Sequence, residues 1–540
     1  MGNGIQPDLV LYNGIVRTLA PRLPLASAVA SRGGRIVAVG DDDLRRQVAR
    51  PDQALDLGRR MLLPGFVDGH VHFVEFALRR RRVDLSGARS LEEALRRVRQ
   101  TVDETPAGQW VLGGGWDRNL WPDPAWPDKR ALDQVSRAHP IALDSKDVHT
   151  LWVNSLALRL AGIDDATPDP PGGRIVRWEE SGEATGILNE LPAKQLVWDA
   201  VGRPDLDELC RALNEATRAV WEVGLTGIHD CEDARALSAF QDLRRRGQLG
   251  LRVLMHLDVK ALDAAIQAGI RSGLGDAWLR LGGVKIFMDG ALGSRTAHLL
   301  EPYEGEPANR GIEITTREEL AGLLAKALPN GISAAIHGIG DAANRRILDC
   351  LEQALAQYPA DASLRHRMEH AQLLAPADIP RLGQLGVIAS VQPLHATADY
   401  EMVERYWGSE RGQGAYAFKS LLDAGARLVF GSDCPVESCD PLGSIYAAVA
   451  RRRPDGSPGP QGWHPDQRLT LEQALWAQCA GPAYAAGEEE LKGTLAPGKL
   501  ADMVVLSRDI AAGPAEAILE TAVHGTIIGG EVVYRSPEWN

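Results

Sequence analysis

The stretch Pro64-Gly-Phe-Val-Asp-Gly-His-Val-His-Phe73 decides how the rest of the chain is read. Side chains alternate across a β-strand, so His70 and His72 point the same way and present two imidazoles to one metal ion. The preceding Leu62 to Val67 reads as a turn feeding a short buried strand, which carries the pair to the strand's C-terminal tip. Taken alone, such a pair is more often an ordinary polar feature of a strand. Its weight depends on whether other strand tips supply partners.

Working outward, short apolar strands alternate with amphipathic helical stretches such as Leu91-Glu-Glu-Ala-Leu-Arg-Arg-Val-Arg99, the pattern of parallel βα units. Candidate strands cover 65–71, 224–230, 251–257, 283–288, 332–337, 365–370, 387–392 and 427–432. Eight such units specify an α/β fold, a distorted (β/α)8 TIM barrel over 64–484, with its chemistry at the C-terminal strand ends. Residues 72–223 exceed what one crossover helix needs, so an inserted subdomain is expected over about 76–210, after the first barrel strand. Residues 1–63 and 485–540 share a texture of short β-runs and Gly turns. Because short strands must pair to bury their faces, both ends are expected in one composite β-sandwich.

Composition excludes several classes. Apolar residues are 44% and charged residues 24% of the 540, so a large core is available. A net charge of -13 opposes binding to a nucleic-acid polyanion. No run approaches the ~18 apolar residues of a membrane helix, and the N-terminus lacks a signal core, so a cytoplasmic location without membrane association is expected. Six cysteines without a C-x-x-C pair fit reduced thiols. A small-molecule substrate is the expected partner, and the frequency of two-fold assemblies makes a homodimer the expected assembly.

Reading only strand tips gives His70, His72, His229, Asp230, Lys285, His337, His370 and Asp433. Imidazoles and a carboxylate are ligand types for a borderline divalent ion, zinc above all, in one or two copies. His337 or His370 alone reads as a core histidine, and Asp433 alone as a helix cap. With His70 and His72 they form a set. Lys285 is the odd member, since an ammonium repels a divalent ion. Reaction of its amine with CO2 removes the clash by giving an anionic carbamate, and burial favours the uncharged amine that this needs. The alternative pairs Lys285 with Asp289 or with an anionic substrate group.

At this point the chain resembles the amidohydrolase superfamily, and within it the YtcJ-like, family 3 branch that includes N-substituted formamide deformylases. The resemblance rests on Asn13-Gly14, the 64–73 stretch, Gly115-Trp-Asp117, His149-x-x-Trp-Val-Asn-Ser155, Val284-Lys-Ile-Phe-Met-Asp-Gly-Ala-Leu-Gly-Ser-Arg-Thr-Ala297, His337-Gly-Ile-Gly-Asp341, Arg367-Met-Glu-His-Ala-Gln372, Ser390-Val-Gln-Pro393, Gly431-Ser-Asp433 and Gly493-Thr-Leu-Ala-Pro-Gly-Lys-Leu-Ala-Asp502. It implies that His70 and His72 bind a first ion and His337 and His370 a second, with Lys285 bridging as a carbamate and Asp433 binding the first ion and serving as base. Val148 departs from the glycine more usual before the equivalent of His149.

The expected reaction is hydrolysis of an amide-type C–N bond in an N-formyl or N-acyl amine, by a hydroxide held between the ions. Asp433 would move the proton. His149, or else His229, would stabilise the oxyanion, while Asp341 and Glu369 would orient ligands. Trp116, Trp152, Arg295 and His229 are candidate substrate contacts, although the tryptophans suit a small subdomain's own core equally well, and Arg295 suits a loop anchor. A lactone, ester or cyclic-amide hydrolase on the same centre is the alternative. A non-catalytic binding or regulatory protein is the remote one, because it predicts gaps in the ligand set and all six positions are filled.

Overall fold

A computed structural model describes residues 6–123, 125–146, 148, 150–171, 173–202, 204–358 and 364–539. The chain divides into two compact units, residues 1–73 with 217–540, and residues 74–216.

The larger unit is built on eight parallel strands in sequential order: β1 (Phe66–Val71), β2 (Leu225–Asp230), β3 (Arg252–Asp258), β4 (Leu279–Phe287), β5 (Ala334–Gly338), β6 (Arg367–His370), β7 (Ile388–Val391) and β8 (Leu428–Phe430). These are the eight strands expected from the apolar runs, with β4 starting four residues earlier than the sequence suggests. Their register aligns the polar tips. Phe287 lies opposite His337, His337 opposite Glu369, and Gly338 opposite His370. Between β8 and β1 the ring is drawn together just past the strands, where the Asp433 N–H donates to His70 O at 2.8 Å and the His72 N–H to Cys434 O at 2.9 Å.

Two further sheets in this unit come from the chain ends. In a six-stranded sheet, Met61–Pro64 runs antiparallel to Met503–Leu506, so the two ends of the chain are direct hydrogen-bonding neighbours. A four-stranded sheet is made by Leu9–Tyr12, Ala28–Arg32, Arg35–Gly40 and Ala54–Asp56. Leu11, Val29, Leu62, Met503, Val505, Ile527 and Trp539 form one buried cluster across them. Full burial of each such side chain stabilises by roughly 1.5–3 kcal/mol, which these short strands need.

The smaller unit carries a six-stranded mixed sheet that includes Val111–Trp116, Ile141–Ser145, Thr150–Val153 and Ala184–Asn189. Helix Leu91–Glu104 begins at Ser90, whose Oγ accepts the Glu93 N–H, and it buries Ala94, Val98 and Val102 at four-residue spacing against the sheet's cluster. Trp116 and Trp152, 2% and 0% exposed, lie inside that cluster. Their indole N–H groups donate to Leu143 O and Asp128 O at 2.9 Å. This corrects their expected role as substrate contacts, since a satisfied indole within a sealed core is structural. Among the described residues, no helix is long and apolar enough to cross a membrane.

Candidate metal centre

His70 and His72 emerge from the tip of β1 as the alternation requires. Each presents Nε2 to one carboxylate oxygen, Asp433 Oδ1, at 3.4 Å. Asp433 follows β8 and reaches this position through a left-handed backbone, φ 58°. A similar turn operates on β6. Alternation would send Glu369 and His370 to opposite faces, yet both side chains face the centre: Glu369 accepts His70 Nδ1–H at 2.6 Å, and the His370 ring lies 5.0 Å from that of His70. The φ of 70° at His370 ends the strand and re-aims its ring.

The remaining tips converge on the same place. The rings of His337 and His370 are 4.5 Å apart. Lys285 on β4 is buried, with Nζ 3.4 Å from His70 Nε2 and 4.8 Å from the centroid of Phe287. The alternative pairing of Lys285 with Asp289 is not what the structure holds. Asp289 instead accepts the N–H groups of His298, Ile339 and Gly340 at 2.8–3.0 Å.

A polar network under the centre fixes these ligands. Arg367 donates to Gly69 O at 2.6 Å, to Ser390 Oγ at 2.7 Å and to Glu369 Oε2 at 3.0 Å, with Nε ion-paired to Glu369 Oε1 at 2.8 Å, so it ties β1, β6 and β7 together. Burial works to raise the Glu369 pKa, but Arg367 and His70 hold it well below the usual carboxylate range. Glu369 is thus an anion that accepts the hydrogen bond of His70 Nδ1–H, with Nε2 facing Asp433. Gln392 does the same for His370, with Oε1 2.9 Å from Nδ1.

Electrostatics suit cation binding. Burial raises the Asp433 pKa, yet hydrogen bonding with His70 and His72 keeps it well below the ordinary range. His337 is pushed down to about 3, first by burial and then by Lys285, and His370 falls well below its usual value by burial and by His337. Both are therefore neutral imidazoles with lone pairs to offer. A divalent ion fits this set on the geometry alone. Donors 2.0–2.1 Å from a tetrahedral ion stand about 3.3–3.4 Å apart, the spacing of His70 and His72 from Asp433 Oδ1. His337 Nδ1 is buried without a hydrogen-bond partner among the described residues, while its Nε2 bonds Gly290 O at 3.1 Å, so Nδ1 has a lone pair suited to a metal ion.

Other expected residues are placed elsewhere. His149 lies outside the described residues. His229 is 1% exposed, with Nδ1 accepting from Arg367 at 2.8 Å, which corrects its expected substrate contact to a part in the buried network. Arg295 is ion-paired with Glu306, and its guanidinium lies 5.6 Å from the Tyr406 ring. It anchors a loop. Asp341 accepts the Leu300 N–H at 2.9 Å rather than touching a ligand.

One residue at the centre escaped the sequence reading. His395 lies beyond β7, in helix Pro393–Ala398, stacked on His370 with rings 6.3 Å apart and 9° from parallel. The available signal was its position three residues after Gln392, just beyond the Ser390-Val-Gln-Pro393 segment, past the strand tip where alternation no longer applies.

A barrel with imidazoles, a lysine and an aspartate gathered at its C-terminal mouth defines the chain as a metal-dependent hydrolase by class. Residues 53–534 match the amidohydrolase family, and the chain belongs to it. It is 36% identical to the protein LONG AFTER FAR-RED 3 of Arabidopsis thaliana over 98% of this chain and 92% of that one. It is 31% identical to the YtcJ protein of Bacillus subtilis, covering 97% of this chain and 99% of that one. The N-substituted formamide deformylase of Arthrobacter pascens is also 31% identical, over 98% of both chains. A solved metal-dependent hydrolase from Pyrococcus horikoshii, itself uncharacterised, superposes with a TM-score of 0.78 at 28% identity, covering 94% of this chain and 98% of that one.

Proposed function

We propose that the protein hydrolyses an amide-type C–N bond, with an N-formyl or N-acyl amine as substrate and a carboxylic acid and an amine as products. The observation that carries this is Asp433, an ionised carboxylate held among imidazoles at the barrel mouth. The 31% identity to a formamide deformylase across nearly both chains supports the N-formyl class.

His70, His72 and Asp433 would hold one divalent ion, with zinc the choice that imidazole and carboxylate favour. His337, His370 and Lys285, the latter as a carbamate, would hold a second. When bound, such an ion acidifies a water and polarises a carbonyl oxygen. The protein's own groups do the rest. Asp433 accepts a proton from the attacking water and returns it to the leaving nitrogen as the C–N bond breaks. Glu369 keeps His70 in the tautomer that faces Asp433, and Arg367 keeps Glu369 ionised. Phe287, 40% exposed and 5.1 Å from the His337 ring, offers an apolar wall beside the reacting carbonyl for the amine's substituent.

Initial rates on N-formyl amines, N-acyl amines, hydantoins and aryl esters test the reading. Turnover of the first two classes is the expected result. Turnover of esters alone would overturn the amide assignment.

A further inference from the structure

Beside the ligand set expected from the strand tips stands a histidine with no assigned part. His395 is 7% exposed, and its Nε2 is buried without a hydrogen-bond partner among the described residues. That atom is 3.9 Å from Asp433 Oδ2, too far for a hydrogen bond. A desolvated ring nitrogen left unsatisfied is costly, so its position calls for a partner. Ligand atoms of His370, His395 and Asp433 lie within 4.8 Å of one another, the same closeness that His70, His72 and Asp433 show. His370 Nδ1 is occupied by Gln392, which leaves His370 Nε2 for the centre. Asp433 thus stands between two histidine pairs, with His70 and His72 facing Oδ1 and His395 facing Oδ2.

We propose that His395 is a metal ligand, completing with His370 and Asp433 a donor triad for a divalent ion on the far side of the Asp433 carboxylate. This deepens the hydrolase reading and rests on it. The triad gives that ion two imidazoles and a carboxylate, with His337 Nδ1 the further orphaned donor 4.5 Å, ring to ring, from His370.

The test uses the full-length protein stripped of metal and titrated with Zn2+ against a chromophoric chelator, then with Co2+ followed by its visible ligand-field spectrum. Wild type, His395→Ala and His395→Gln are compared, with circular dichroism to verify folding. Loss of a group that merely supports a ligand weakens metal binding by about 10–100-fold. Loss of His395 is expected to weaken one ion at least that much and to change the Co2+ spectrum, in Gln as in Ala. Unchanged stoichiometry, affinity and spectrum in a folded variant would overturn the assignment, whatever happens to turnover. A wild-type protein that binds neither ion would overturn the hydrolase reading as well, so the two failures are told apart.

Discussion

His370 and Asp433 both adopt left-handed backbone conformations, at φ 70° and 58°, where a non-glycine residue carries strain of about 1–3 kcal/mol. His370 ends β6 and Asp433 follows β8 by three residues, and each turn carries a side chain into the centre. Of the twelve described non-glycine residues with positive φ, these two are candidate ligands, and their strain accords with a site shaped for binding. Asp433→Asn keeps the shape and removes the proton acceptor, so turnover should fall by about 10²–10⁴-fold with the unfolding midpoint nearly unchanged. Steady-state rates and a thermal melt check this, and full activity would remove Asp433 from the mechanism. Lys285→Ala should lose metal, measured by elemental analysis, and added short carboxylates should restore part of the activity if the native group is a carbamate. His70, His72, Lys285, His337, His370 and Asp433 could be picked out as candidates because each lies within three residues of the C-terminal end of a barrel strand. His395 could not, because it begins after a proline past the strand and no alternation pattern includes it.

At the scale of elements, the junction of β8 with β1 governs the centre. A side-chain carbon at Gly431 would lie 2.5 Å from the backbone nitrogen of His70, and one at Gly69 would lie 2.6 Å from Phe430 O. Only glycine permits this approach. Asp68 reinforces it, accepting the N–H groups of Ser432 at 2.9 Å and of His70 at 3.1 Å and bonding the Ser432 hydroxyl. Gly431→Ala should therefore part the two strands, destabilise the fold by about 1–3 kcal/mol and weaken metal binding together with activity. Urea denaturation and metal titration measure the two effects. A variant with wild-type metal affinity would show that the junction does not set the ligand geometry. The strands were legible as apolar segments of the right length. The indoles of Trp116 and Trp152 were not assignable, because residue type does not tell a packed face from an open one until the sheet exists.

At the scale of the molecule, buried neutral histidines make stability depend on pH. His366 Nδ1 accepts the Ala334 N–H at 3.2 Å, and burial lowers its pKa to about 4. The unfolded chain, with a pKa near 6.5, binds the proton that the folded chain refuses. The stabilisation is complete above pH 6.5 and is lost as pH falls toward 4, by about 3 kcal/mol. His366→Asn, which keeps an acceptor but does not titrate, should flatten the pH dependence of urea unfolding between pH 6.5 and 4. An unchanged slope would assign it to other groups. His256, whose Nδ1 accepts the Gly283 N–H at 3.1 Å and whose pKa burial lowers to about 3, acts in the same direction.

Hydrolysis of an amide-type bond by a metal-loaded centre around Asp433 can be checked by measuring N-formyl amine turnover and bound metal in the same purified protein, before chelation, after it, and after Zn2+ is returned. Bound divalent metal in the active protein, loss of turnover with the metal, and recovery on reloading are the expected results. Turnover that survives complete removal of metal, or a protein that takes up none, would contradict hydrolysis by a metal centre.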